Sequence, residues 1–126
     1  VKKLLFLGIF VSLLVGCRGL APVQDKPMKS IVLAEGRTVK EAIIQGASTR
    51  NWSVSELVPG VMRAHLYARG HEVDVDIPYT QSGYAIQYAD SKNMRYNPKT
   101  HKIHPKYNRW IEFLDIAIFK WASVGK

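Results

Sequence analysis

The sequence predicts an α+β domain of two layers: a four-stranded antiparallel sheet with two helices packed on one face, in the order α-β-β-β-β-α. Three observations predict it. Residues 61–79 hold two runs of alternating apolar and polar side chains that fold onto each other about Arg69-Gly70. An amphipathic segment precedes the strands and a longer one follows them. The chain has 126 residues, 47% apolar and 22% charged, enough for one hydrophobic core and too short for two ordinary domains.

The first helix is predicted from about Val39 to Thr49. Thr38-Val39-Lys40-Glu41 has the spacing of a capping box. Val39, Ala42, Ile43, Gly46 and Ala47 fall on one side, and Ala42, Gly46 and Ala47 are small enough for close packing. Trp52 to Val58 reads as a strand stopped by Pro59-Gly60.

In the next strand Met62, Ala64, Leu66 and Ala68 alternate with Arg63, His65, Tyr67 and Arg69. In the one after it Val73, Val75 and Ile77 alternate with Glu72, Asp74 and Asp76. A period of two puts each set on its own face. Turning about Arg69-Gly70 pairs Leu66 with Val73, Ala64 with Val75 and Met62 with Ile77. The same register sets Arg63 against Asp76 and His65 against Asp74, and a slip of one residue would destroy both sets.

Tyr84, Ile86 and Tyr88 alternate in a fourth strand after the turn Thr80-Gln81-Ser82-Gly83. Asp90 to His104 reads as a polar loop with a short extended piece around Ile103. Pro105 suits the first position of a helix. Tyr107, Trp110, Ile111, Leu114, Ile118 and Trp121 then follow at helical spacing to about Ala122. Phe113, Ile116 and Phe119 fall off that stripe, so they either touch the first helix or offer a surface to a partner or a second copy.

The beginning of the chain carries an address. Lys2-Lys3 precedes an apolar run, Leu4 to Val15, too short for the ~20 residues of a bilayer-spanning helix but suited to an export signal. Val1 in place of Met fits an alternative start codon. Leu14-Val15-Gly16-Cys17 resembles the lipobox of bacterial lipoproteins: an aliphatic residue, a short branched one, Gly, then Cys. The resemblance implies cleavage between Gly16 and Cys17 and a diacylglycerol thioether on Cys17, with a further acyl chain of the palmitate type on its amine. Two or three such chains anchor a protein durably. The expected organisation is a signal peptide over 1–16, a lipidated tether over 17–36 carrying Gly19, Pro22, Pro27 and Gly36, and one domain over 37–126. Arg18, where an Asp would retain many lipoproteins at the inner membrane, implies the outer membrane, facing the periplasm.

Lys and Arg number 18 against 10 Asp and Glu, for a formal charge of +8. Removing Lys2 and Lys3 with the leader leaves 16 against 10, or +6. That surplus favours anionic neighbours; the envelope address excludes nucleic acid and favours lipid or glycan phosphates or an envelope protein. Cys17 is the single cysteine, so no internal disulfide forms.

The candidate chemistry is sparse. His101 and His104 could share a metal but lack the remaining ligands of a zinc site. His65 facing Asp74 is two-thirds of a hydrolytic triad, without a Ser in a Gly-x-Ser-x-Gly turn. No metal or cofactor is implied. The basic stretch over 92–109 interleaves Lys92, Arg95, Lys99, Lys102, Lys106 and Arg109 with Tyr96, Tyr107 and Trp110. It is either an anion-binding surface or a solvated loop whose aromatics pack inward.

Trp52, Pro59-Gly60, Ala64, Leu66, Arg69, His71, Val73 and Val75, then residues 84–91, Ile103-His104 and Tyr107-Asn108-Arg109-Trp110, are similar to a family of small, uncharacterised proteobacterial lipoproteins. That likeness implies lipoprotein status and carries no site residue. Ser82-Gly83 before tyrosines is also similar to the Ser-Gly-x-x-Tyr loop of periplasmic lysozyme inhibitors. Here Ile86 replaces the last tyrosine, the terminal helix has no counterpart in those β-rich barrels, and a +6 chain would repel cationic lysozyme.

The expectation is therefore a lipid-anchored envelope protein acting as a non-enzymatic binding or assembly module. Its candidate surface comprises Arg63, His65 and Tyr67 together with Lys92, Arg95, Lys102 and Lys106. The alternatives are an envelope hydrolase using His65 or His104, and a binder of anionic membrane or glycan phosphate through the 92–109 stretch.

Overall fold

The computed structural model describes residues 19–124; the leader, Gly16 and Cys17 lie outside the described residues. Seven strands and two helices follow in order: β1 (Ala21–Pro22), β2 (Lys26–Ser30), α1 (Val39–Ser48), β3 (Ser53–Val58), β4 (Val61–Ala68), β5 (His71–Pro78), β6 (Gly83–Lys92), β7 (Lys102–Ile103) and α2 (Lys106–Ser123). The main sheet is antiparallel with strand order β2-β6-β5-β4-β3, and β1 pairs with β7 in a separate two-stranded ribbon.

The α+β class holds, but the sheet has five strands and not four. The additional strand comes from the segment expected to be a tether. Lys26 pairs with Ile86, Lys29 with Tyr84 and Ser30 with Gly83. Pro27 and two lysines disguise β2 as a linker. The strand is held from the other side instead: Lys26 Nζ pairs with Glu112 on α2, and Lys29 Nζ meets the buried Asp115 carboxylate at 2.9 Å. Tyr84 Oη also donates to Asp115, at 2.6 Å, tying β2, β6 and α2 together. Gly83 is required by this approach, since a Cβ there would lie 2.2 Å from the Lys29 carbonyl oxygen.

Met62, Ala64 and Leu66 of β4, Val73, Val75 and Ile77 of β5, and Tyr84 and Ile86 of β6 form one core with the buried sides of both helices. The helices therefore share one face of the sheet, as predicted. Thr38 Oγ1 accepts from the Glu41 N–H at 3.1 Å and caps α1. Gly46 brings α1 into backbone contact with α2: a Cβ there would stand 2.6 Å from Ile118 Cα. The small residues of α1 thus set the spacing of the helix layer.

Candidate functional site

The β4–β5 hairpin adopts the predicted register throughout, from Val61 opposite Pro78 to Ala68 opposite His71. Its two-residue turn places Arg69 at φ 52° and Gly70 at φ 81°, the left-handed pair whose twist matches the flanking strands. Because the helices take the apolar face, the polar set is left open to solvent. On it Arg63 Nε donates to Asp76 Oδ1 at 2.5 Å, and His65 Nδ1–H donates to Asp74 Oδ1 at 2.6 Å. Glu72 lies 3.7 Å from His65 Nε2 and 4.0 Å from Lys92 Nζ. The Asp76 hydrogen bond raises the Arg63 guanidinium further above its already high range. Tyr67 stands 66% exposed beside this lattice.

The structure brings together only part of the expected basic stretch. Lys92 is opposite Glu72 across β5 and β6 and belongs to the sheet face with Arg63, His65 and Tyr67. Arg95, at φ 55°, lines an open cleft of about 540 Å³ with Tyr88, Asn93 and Tyr96. Lys102 sits in β7, paired with Pro22. Lys106 starts α2. The aromatics turn inward: Tyr107 is fully buried, and Tyr96 stacks on Tyr88 at 4.3 Å. Burial raises the Tyr88 phenol above its usual range, against the lowering effect of a hydrogen bond with Ser91. Burial also raises Tyr107, whose hydroxyl has no hydrogen-bond partner among the described residues.

The histidines are arranged differently from the spacing in sequence. His101 and His104 do not pair; His101 Nδ1 lies 3.2 Å from Tyr96 Oη. His104 instead neighbours His71, with ring centroids 5.5 Å apart, and His71 lies 6.0 Å from the Trp110 ring. His71 Nδ1–H donates to the Asn93 carbonyl at 2.6 Å. His104 Nδ1 accepts the Lys106 N–H at 3.1 Å and caps α2, where Pro105 offers no side-chain oxygen. Desolvation first, then the charges of His71, Lys106 and Arg95, lower its proton affinity, which keeps Nδ1 free to accept. Sequence reasoning missed His71. It directly follows the hairpin turn, so the end of the sheet nearest α2 was the available clue.

Among the described residues, no group of three or more His, Cys, Asp or Glu is disposed to hold a metal ion. No described helix is long and apolar enough to cross a membrane. No family model matches the chain, and neither a similar curated protein nor a similar solved structure is found.

Proposed function

We propose that this chain is a bacterial envelope lipoprotein, anchored through acyl chains on Cys17 and delivered to the periplasmic face of the outer membrane. Its folded part is a non-enzymatic binding or assembly module that presents the open sheet face to an envelope partner. One observation carries this reading. The face bearing Arg63, His65, Tyr67 and Lys92 is patterned by cross-strand contacts, Arg63 with Asp76, His65 with Asp74 and Lys92 with Glu72. Such a surface selects partners by electrostatic complementarity. Of the two histidines a hydrolase would use, His104 accepts from the first turn of α2, and the His65–Asp74 pair has no Ser in a Gly-x-Ser-x-Gly turn to serve as its nucleophile.

The test is a photo-crosslinker at Tyr67 in intact envelopes. A discrete adduct that disappears when Asp74 and Asp76 are changed to Lys is expected. Adducts indistinguishable from those of a probe placed at the exposed Lys99 would sink the reading.

A second reading is favoured by the cleft at the end of β6. There Arg95 stands exposed beside the stacked pair Tyr88 and Tyr96, a cation next to aromatic rings. That combination suits a glycan phosphate. Loss of binding to phosphorylated envelope glycans in Arg95→Ala would support it, and unchanged binding would remove it.

A further inference from the structure

We infer that the outer face of α2 lies against the anionic phospholipid leaflet, so that the domain rests on the membrane with its helix layer and turns the open sheet face away. This rests on the anchoring reading above and adds an orientation to it.

The first observation is a surface left uncovered. Phe113 and Ile116 are 40% and 50% exposed, while Phe119, 47% exposed, lies on the side of β2 with Lys29 Nζ 5.9 Å from its ring. Arg109, Phe113, Ile116 and Lys120 succeed one another at four-, three- and four-residue intervals and share one side of the helix. α1 packs against another side, through Gly46, and β2 lies along a third, through Glu112 and Asp115.

The second observation is charge. Arg37 lies over the Trp121 ring at 3.6 Å and Arg50 over the Phe113 ring at 4.8 Å. With Lys120 they line a groove of about 520 Å³ whose apolar wall is Ile116, Trp121 and Val124. Among the described residues, no carboxylate stands within ion-pair distance of Arg37, Arg50, Arg109 or Lys120. Apolar side chains rimmed by cations match the boundary between acyl chains and anionic head groups. A second copy would set the same cations against each other, which disfavours a symmetric dimer across this face.

The third observation is where the chain leaves the fold. Three residues separate Cys17 from Ala21, which limits the distance between their Cα atoms to about 14 Å. Ala21 belongs to β1, and next to it the Pro22 carbonyl accepts from Asn108 Nδ2 at 2.8 Å while the Gln24 N–H donates to Asn108 Oδ1 at 3.0 Å. Asn108 lies in the first turn of α2. At 1.5 Å per residue, Ile116 is about 12 Å further along the same axis. A lipid on Cys17 therefore enters the bilayer within reach of one end of this face. No 20-residue stand-off intervenes.

The experiment uses the full chain, recovered from membranes and reconstituted into phosphatidylethanolamine vesicles with or without phosphatidylglycerol. An environment-sensitive fluorophore is placed at Ile116→Cys or, on the opposite layer, at Tyr67→Cys. Emission from position 116 should shift to the blue and be quenched by nitroxide-labelled lipid when phosphatidylglycerol is present, while position 67 keeps its aqueous spectrum. Arg50→Gln and Lys120→Gln should each weaken the association of the domain face about fivefold, near 1 kcal/mol per cation. Equal spectra at 116 and 67, or a shift indifferent to phosphatidylglycerol, would overturn the orientation. So would a shift at 116 in lipid-free protein at concentrations where it dimerises. The mass of the Cys17 peptide from the same preparation tests the anchor separately: an unmodified thiol removes the anchoring reading, whatever position 116 reports.

Discussion

The two broad faces of this molecule carry charge in opposite ways. On the open sheet face most charges have a close partner: Arg63 pairs with Asp76 and Lys92 with Glu72, and Asp74 accepts a hydrogen bond from His65. Asp90, opposite Asp74, has no cation within ion-pair distance among the described residues. On the outer side of α2 the cations Arg109 and Lys120 stand among exposed Phe113 and Ile116, without carboxylate partners among the described residues. Opposite charges a few ångströms apart largely cancel at distances beyond their separation, so the sheet face acts at contact range and discriminates by pattern. Unpaired cations keep a longer field and attract any anionic surface. The number of charges on a face therefore says less about its partner than whether the fold has already neutralised them.

The comparison depends on α2 holding its position, and the largest expected effect breaks that. Gly46→Ala puts a methyl group 2.6 Å from the Ile118 backbone. Alanine's helix propensity returns about 1 kcal/mol, yet the overpacking should leave the protein about 2–3 kcal/mol less stable by urea titration. Wild-type stability would show that the helices separate freely and that the outer face has no fixed orientation.

Next in size is Lys29→Met. It leaves the Asp115 carboxylate buried with only Tyr84 as a charge-stabilising side-chain partner. Breaking a fully buried ion pair costs roughly 3–5 kcal/mol. Lys29 is 43% exposed and water can approach from its side, so about 2 kcal/mol is expected. Detachment of β2 should accompany it, seen as faster amide exchange at Ile31, whose N–H donates to the Ser82 carbonyl.

How legible these features were in sequence depends on the range of the interactions that make them. The β4–β5 hairpin could be read residue by residue because its apolar and polar patterns both constrain one register, and the partners are adjacent in the chain. The Gly46 contact was foreshadowed by small residues on one side of α1. β2 was hidden because its lysines answer to Glu112 and Asp115, 86 residues away, so nothing nearby marks Lys26 and Lys29 as anything but solvated. The candidate site divides the same way. His65 with Asp74 followed from the register, and Lys92 joined them because β6 pairs with β5. The proximity of His71 and His104 arises from the meeting of a strand start with a helix start, which no local spacing encodes. The lipobox-like run Leu14-Val15-Gly16-Cys17 is the reverse case: a local pattern read entirely from sequence, lying outside the described residues.

His104 offers a smaller effect that separates an engaged histidine from a reactive one. Its pKa in the fold is lowered from 6.5, chiefly by desolvation, so the unfolded chain binds the proton more readily. Stability is then fully present above pH about 6.5 and falls as the pH drops through that value toward the lower folded pKa. His104→Asn keeps an acceptor where Nδ1 receives the Lys106 N–H but does not titrate. The variant should match wild type at pH 8 and lose less stability on acidification to pH 5. Identical pH profiles would place the acid sensitivity elsewhere and free His104 for the hydrolytic role it was first considered for.

The smallest effect is on the sheet face itself. Arg63→Ala removes a hydrogen-bonded ion pair whose side chains are 34% and 27% exposed. Pairs with this much solvent contact are worth under about 1 kcal/mol, and the apolar register of Met62, Ala64 and Leu66 holds the strand regardless. The variant should therefore unfold within 1 kcal/mol of wild type while leaving Asp76 unpaired on a face where Glu72, Asp74, Asp76 and Asp90 already outnumber the cations Arg63 and Lys92. If that face is the partner surface, adduct formation from a crosslinker at Tyr67 should fall well out of proportion to the stability change. A loss of stability as large as that of Lys29→Met, with adducts unaltered, would make the lattice a structural brace, and binding would have to be sought on the face where the cations are unpaired.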